Sequence, residues 1–149
     1  MCGILGALNY DGNFDSSLDL IKHRGPDAGS TFQHNNIFLG HRRLKIIDLS
    51  DSANQPMTSN DGRYTIIFNG EIYNFESIRN DLKKLNFNFK TQSDTEVILY
   101  AYIAWKEKCL NKFNGMFSFA IYDNKKENIF IARDRIGIKP LYYFKKDSQ

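Results

Sequence analysis

The apolar positions along the chain change their period several times, and each change marks an element. Gly3 to Leu8 ("GILGAL") is nearly all apolar and ends in the turn-like "NYDGN", which predicts a buried strand leading into a loop. Residues 18–21 read as helical, and "HRGPDAG" after them reads as a rigid turn broken by Gly and Pro. Residues 37–39 and 64–68 read as strands, separated by the polar "DLSDSANQPMTSNDG", a loop of a length that tends to carry function. A turn at Gly70 leads to Asn74, a good N-cap, after which Ile78, Leu82 and Leu85 share one helical face. Ser93 and Glu96 in "SDTE" fit a capping box ahead of Val97, Ile98, Ala101 and Ala104, which predicts a second helix. Residues 116–122 and 129–132 flank "DNKKEN" as a hairpin, and residues 141–144 predict one more strand. Hairpins with two helices grouped between them predict an α+β domain with antiparallel sheets.

Composition narrows the class of function. The 149 residues fit one folded unit that buries roughly 68–70% of its unfolded surface. Hydrophobic residues make up 42% and charged residues 25%, the balance of a globular protein without a disordered tract. The net charge of +3 is too small and too evenly spread to imply nucleic acid, so small molecules are the expected ligands. The start lacks a positively charged leader, and no stretch approaches the ~20 apolar residues of a membrane helix. The expected location is the cytoplasm, with no membrane partner. Cys2 and Cys109 are two distant cysteines without metal-type spacing, so reduced thiols and no metal site are expected.

The candidate chemistry begins with "MCGILGAL". If Met1 is removed, Cys2 carries both a thiol and a free α-amine, whose ordinary pKa of ~7.7–8.0 suits it to act as the base for its own sulfur. The bland alternative is a small hydrophobe at a strand start. "FNGEIYN" offers the side-chain amide of Asn69 and the N–H of Gly70 as oxyanion donors, although Asn-Gly by spacing alone favours a simple turn. "GHRRL" sets Arg42 and Arg43 at a strand end, where one guanidinium can take a carboxylate bidentately and where solvation is the ordinary alternative. Asp94 can pair with an ammonium, or can simply favour the helix dipole.

These blocks, in order, carry a family resemblance. "MCGILGAL", "HRGPD", "GHRRLKIIDLS", "QPM", "FNGEIYN", "SDTEVIL", "GMFSFAIYD" and "ARDRIGIKPLYY" resemble the glutaminase (class II glutamine amidotransferase) domain of glutamine-hydrolysing asparagine synthetases, from residue 1 to about 144. Eight ordered blocks are specific where any one is weak. The resemblance implies the N-terminal nucleophile hydrolase fold, a four-layer sandwich of two antiparallel sheets between helix layers. It implies Cys2 as nucleophile with its α-amine as base, and Asn69 and Gly70 as the oxyanion hole. Arg43 would grip the glutamine α-carboxylate and Asp94 the α-ammonium, while the backbone of Leu44, Lys45, Ile46 and Ile47, with Glu71, lines the pocket and Arg24 supports the nucleophile. L-glutamine is then hydrolysed to glutamate and ammonia through a γ-glutamyl thioester on Cys2. The domain itself needs no cofactor. ATP and magnesium belong to a synthetase domain that accepts the ammonia; no Ser-Gly-Gly-x-Asp-Ser loop is present, and residues 1–149 end sooner than the resembled domain does, so a C-terminally truncated unit is expected.

Three other readings compete. A thiol hydrolase could activate Cys2 through His23 or His41, although both suit structural roles. "KPLYYFKK" with Lys125, Lys126, Arg133 and Arg135 could bind single strands, although strand aromatics and solvated lysines explain the same letters. A catalytically silent assembly domain is the third, against which stand the matching key positions. Cys109, beside Trp105 and Leu110, is expected in the core, and His34 has no evident role.

Overall fold

The computed structural model describes residues 2–9, 12 and 14–146, and its layers follow from which side of each strand is apolar. β1 (Gly3–Leu8), β2 (Ala28–His34) and β3 (Ile37–Arg43) form an antiparallel sheet in the order β1-β3-β2. β4 (Met57–Thr58), β5 (Tyr64–Ile72), β6 (Gly115–Asp123) and β7 (Asn128–Arg133) form a second antiparallel sheet in chain order. Among the described residues, α-helices cover the outer faces: α1 (Phe14–Leu20) on the first sheet, α2 (Phe75–Lys84) and α3 (Asp94–Trp105) on the second.

Successive strand side chains point to opposite faces, so parity assigns each residue its layer. On β5, Tyr64, Ile66, Phe68 and Ile72 join the core built with Ile78 and Leu82 of α2 and Val97, Ile98 and Ala101 of α3. Ile67 faces the other way and packs with Ile37, Leu39, Ala120 and Tyr122 between the sheets. Burial on both faces explains the continuous apolar run Ile66, Ile67, Phe68 within β5. On β3, Ile37 and Leu39 face the second sheet, while Phe38 stacks on Phe14 of α1 with ring centroids 4.7 Å apart. The result is the α+β sandwich of two antiparallel sheets between helix layers.

The elements depart from the sequence reading in specific places. Asn69 and Gly70 are not a turn: β5 runs on to Ile72, with Asn69 opposite Ser118 and Gly70 opposite Phe117. A Cβ on Gly70 would stand 2.2 Å from the Met116 carbonyl oxygen, so this glycine serves a close approach of two strands. β2 begins inside the expected "HRGPDAG" turn, and its mostly exposed, polar sequence hid the strand. Residues 141–144 form no strand; no neighbouring strand meets their backbone groups, and Tyr142, Tyr143 and Phe144 are exposed.

Two caps also differ in detail. The Asn74 side chain makes no cap bond to α2; it donates to Lys112 O and accepts the Asn114 N–H, each at 2.9 Å, tying the helix entrance to the start of β6. The capping box at α3 is one-sided. Ser93 Oγ accepts the Glu96 N–H at 3.4 Å, but Thr91 Oγ1 already accepts the Ser93 N–H. The Glu96 carboxylate therefore reaches further back, to the N–H groups of Lys90 and Thr91.

Candidate active site

Parity on β3 separates the paired arginines. His41 and Arg43 share the inner face with Ile37 and Leu39, and both are buried. Arg42 takes the outer face, where its Nε donates to Leu18 O at 3.3 Å and its guanidinium pairs with Asp19 of α1. Only Arg43 of the two reaches the cleft between the sheet ends.

Cys2 sits one residue before β1, and the register Gly3↔Arg42 brings it beside the end of β3. Its sulfur lies 3.5 Å from the Leu44 amide nitrogen, which donates to it, and 3.8 Å from the Leu44 carbonyl oxygen. Arg24 Nε donates to the Cys2 carbonyl at 3.2 Å. The backbone at Gly25 passes so close to β3 that a Cβ there would stand 2.2 Å from Arg42 O, which is what brings Arg24 within reach. Met1, on whose removal the α-amine depends, lies outside the described residues.

Asn69, Gly70 and Glu71 of β5 line the cleft next to Cys2, and Leu44, Ile46 and Ile47 form another wall. The Lys45 side chain is not part of the lining. It turns outward to Asp51 at 2.8 Å, and the Lys45 N–H is accepted by Asp27 at 2.9 Å. Asp94 closes the far end as the first residue of α3, with its Oδ2 accepting the Ile72 N–H at 3.0 Å. Burial pushes its carboxyl up to about 6 against the pull of the backbone N–H groups, and the nearby charge of Glu71 adds to the rise. The Arg43 guanidinium faces that carboxylate's cleft from the loop side. Its Nη1 donates to Ser50 O and to Asn54 Oδ1, each at 2.8 Å, and its Nη2 to Ile47 O and Asp48 O. The loop after β3 thus folds around Arg43 and holds it in place.

The histidines bond away from the thiol. His41 Nε2 meets Phe68 O at 3.1 Å, and His23 Nδ1 meets Leu20 O at 3.1 Å. Burial, with Arg43 nearby, drives the His41 imidazole down to about 4, so it is neutral at pH 7. Cys109 is buried in the core and its thiol is pushed up to about 12 by burial, which makes it inert. Among the described residues no group of three or more His, Cys, Asp or Glu is placed to hold a metal ion. No helix among them is long and apolar enough to cross a membrane.

Among the cleft residues that the sequence reading did not assign to the site, two carry polar groups into it from outside the motifs' functional positions. Gln55 and Lys139 both line the cleft and are both buried. Lys139 stood in "KPLYYFKK", where it read as a solvated lysine; its place between Ile138 and the chain-stiffening Pro140 was the available signal. Gln55 lay in "QPM", which carried resemblance but no chemical role.

A thiol, an amide with a glycine N–H, a guanidinium and a carboxylate around one cleft form a constellation for an amide that bears an amino-acid head. The sequence profile of the glutamine amidotransferase domain family matches residues 1–149. The chain belongs to that family. It is 40% identical to asparagine synthetase [glutamine-hydrolyzing] 3 of Bacillus subtilis over 99% of this chain and 25% of that protein. It is 42% identical to a probable asparagine synthetase [glutamine-hydrolyzing] of Schizosaccharomyces pombe over 99% of this chain and 28% of that one. The chain spans about a quarter of the length of these relatives. Among solved structures, the glutamine phosphoribosylpyrophosphate amidotransferase from B. subtilis matches with a TM-score of 0.59 at 22% identity, over 71% of this chain and 25% of that one, a likeness of fold.

Proposed function

We propose that this domain hydrolyses the side-chain amide of L-glutamine to glutamate and ammonia, with Cys2 as nucleophile. The observation that carries the reading is the convergence of Cys2, Asn69, Gly70, Arg43 and Asp94 on one cleft. Charges at the two ends of the amino-acid head select it: the α-carboxylate goes to Arg43 and the α-ammonium to Asp94, since leaving either buried charge unpaired is costly. The amide carbon then meets the sulfur, and asparagine, one methylene shorter, falls short of it.

The α-amine of a chain starting at Cys2 takes the thiol proton as sulfur attacks the amide carbon, forming a C–S bond and an oxyanion. Asn69 Nδ2 and the Gly70 N–H stabilise that oxyanion. The C–N bond breaks as the ammonium returns its proton to the departing nitrogen, releasing ammonia and leaving a γ-glutamyl thioester. Water, deprotonated by the same amine, cleaves the thioester and restores the thiol. Arg24, bound to the Cys2 carbonyl, holds the nucleophile's backbone in place.

The relatives' names, asparagine synthetase [glutamine-hydrolyzing], support extending the proposal to a synthetase region that takes up the ammonia; we propose that it would use ATP and magnesium to activate an acceptor, aspartate for asparagine, in the cytoplasm. The domain's own step draws on no cofactor. Incubation with L-glutamine should yield glutamate and ammonia in equal amounts, with L-asparagine turned over far more slowly. Equal turnover of both amides, or of neither, contradicts the proposal.

A further inference from the structure

The outer edge of β5 is capped by side chains where its neighbour runs out. β4 pairs with β5 at Met57↔Ile66 and Thr58↔Thr65, and continuing that register would set Gln55 opposite Phe68. The Gln55 backbone turns away instead, and its carbonyl accepts from Ser30 Oγ at 2.6 Å. Its side chain stands in for the absent strand, with Oε1 accepting the Phe68 N–H at 2.6 Å. His41 Nε2 serves the Phe68 carbonyl at 3.1 Å. A carbonyl oxygen only accepts, so Nε2 carries the hydrogen and Nδ1 is the bare nitrogen.

The same edge continues toward the cleft. Backbone groups of alternate residues on a strand point to the same side, so Phe68, Gly70 and Ile72 share this edge. Phe68 is capped by Gln55 and His41, and the Ile72 N–H by the Asp94 carboxylate at 3.0 Å. Between them the Gly70 N–H points to the side where no strand stands, toward the cleft. Gln55 also joins the two ends, because its Nε2 donates to Thr95 Oγ1 at 3.0 Å, next to Asp94 in the first turn of α3. Gln55 and His41 are 5% and 0% exposed, so water does not compete for these bonds.

We propose that Gln55 and His41 are positioning residues that replace the missing strand at Phe68, fixing the Asn69–Gly70 donors in register with Asp94 while leaving the edge open at Gly70. For its chemistry the inference rests on the proposed glutaminase activity. A donor pair displaced by a fraction of an ångström still lets the amino-acid head bind and loses its hold on the oxyanion. The defect of a loosened edge therefore falls on kcat rather than KM.

The test compares His41→Leu, His41→Gln and Thr95→Val with the unaltered chain, reading kcat and KM for glutamate release and hydrogen exchange at the capped amide of Phe68. His41→Leu removes the donor to Phe68, and Thr95→Val removes the acceptor of Gln55 at nearly constant shape. Both should lower kcat about tenfold or more with KM within about threefold, and speed exchange at Phe68 about tenfold. His41→Gln supplies an N–H at the place of Nε2 and should recover most of kcat and of the protection. A loss carried by KM, unchanged exchange at Phe68, or His41→Gln behaving like His41→Leu would overturn the inference. If His41→Leu does not fold, Thr95→Val decides by the same criteria. An unaltered chain that releases no glutamate contradicts the glutaminase reading on its own, and the exchange measurement still decides whether these side chains hold the edge.

Discussion

The amide nitrogen of Leu44 stands 3.5 Å from the sulfur of Cys2, across 42 positions of sequence. The contact follows from antiparallel pairing of β1 with β3, which brings the start of one strand to the end of the other. The same strand end delivers Arg43 to the cleft, so one pairing register sets both the nucleophile and the carboxylate-binding group. A slip by one residue would exchange Arg43 for Arg42 and empty the site.

The donors on β5 should respond differently to substitution. Asn69→Ala removes one oxyanion donor and is expected to lower kcat about 10²–10³-fold with little change in KM or melting temperature. Gly70→Ala forces a Cβ to within 2.2 Å of Met116 O, so the strands must separate. That change should cost about 3 kcal/mol, a fall of about 6–12 °C in Tm, together with activity. Steady-state kinetics beside thermal melts separate the two effects.

At the other end of the cleft, Arg43→Lys loses the planar fork whose Nη hydrogens bind Ser50 O, Asn54 Oδ1, Ile47 O and Asp48 O, so the cation that attracts the substrate carboxylate is no longer held at the cleft. Its KM for glutamine should rise about 10–100-fold, with a smaller effect on kcat. Asp94→Asn should also raise KM, yet in the absence of glutamine it should be the more stable protein near pH 8. The sign follows from Asp94's carboxyl, raised by burial to about 6: it favours folding while protonated, and that stability is lost as pH rises through about 6. Asparagine keeps an acceptor for the Ile72 N–H without the buried charge. The expected gain is about 2–3 kcal/mol, read by denaturant melts.

Binding should show the same carboxyl with the opposite sense. Ionised Asp94 pairs with the substrate ammonium, so below about pH 6 kcat/KM should carry an added limb of about tenfold per pH unit, beyond the fall that protonation of the α-amine imposes on kcat and kcat/KM alike. Asp94→Asn should abolish that limb of the profile. A limb unchanged in the variant assigns it to another group.

His41 titrates in the reverse direction. Burial lowers its imidazole to about 4 from 6.5, so its contribution is full above pH 6.5 and is lost as pH falls through about 4. That amounts to about 3 kcal/mol of acid destabilisation. His41→Gln should flatten the decline of stability between pH 6.5 and 4, as measured by urea midpoints at several pH values.

Much of the scaffold was legible because buried elements write their period into the sequence. β1 has the ends expected from "GILGAL", and the helix after Asn74 and the hairpin around "DNKKEN" lie where periodicity set them. What escaped was edge structure: β2 is mostly exposed and polar, β4 has two residues, and neither leaves an apolar stripe. At Asn69 and Gly70 a dipeptide with strong turn chemistry sits inside a strand, because pairing with Ser118 and Phe117 overrides local preference. The charged cleft residues came from ordered motifs. The role of Gln55 did not, since it depends on where β4 ends, a fact of pairing between segments rather than of any one segment.

The most direct measurement is glutamate release from L-glutamine by two preparations verified by mass spectrometry, one beginning at Cys2 and one with Met1 retained. Activity in the first and its loss in the second is the result that the α-amine mechanism requires. Equal activity in both would contradict it.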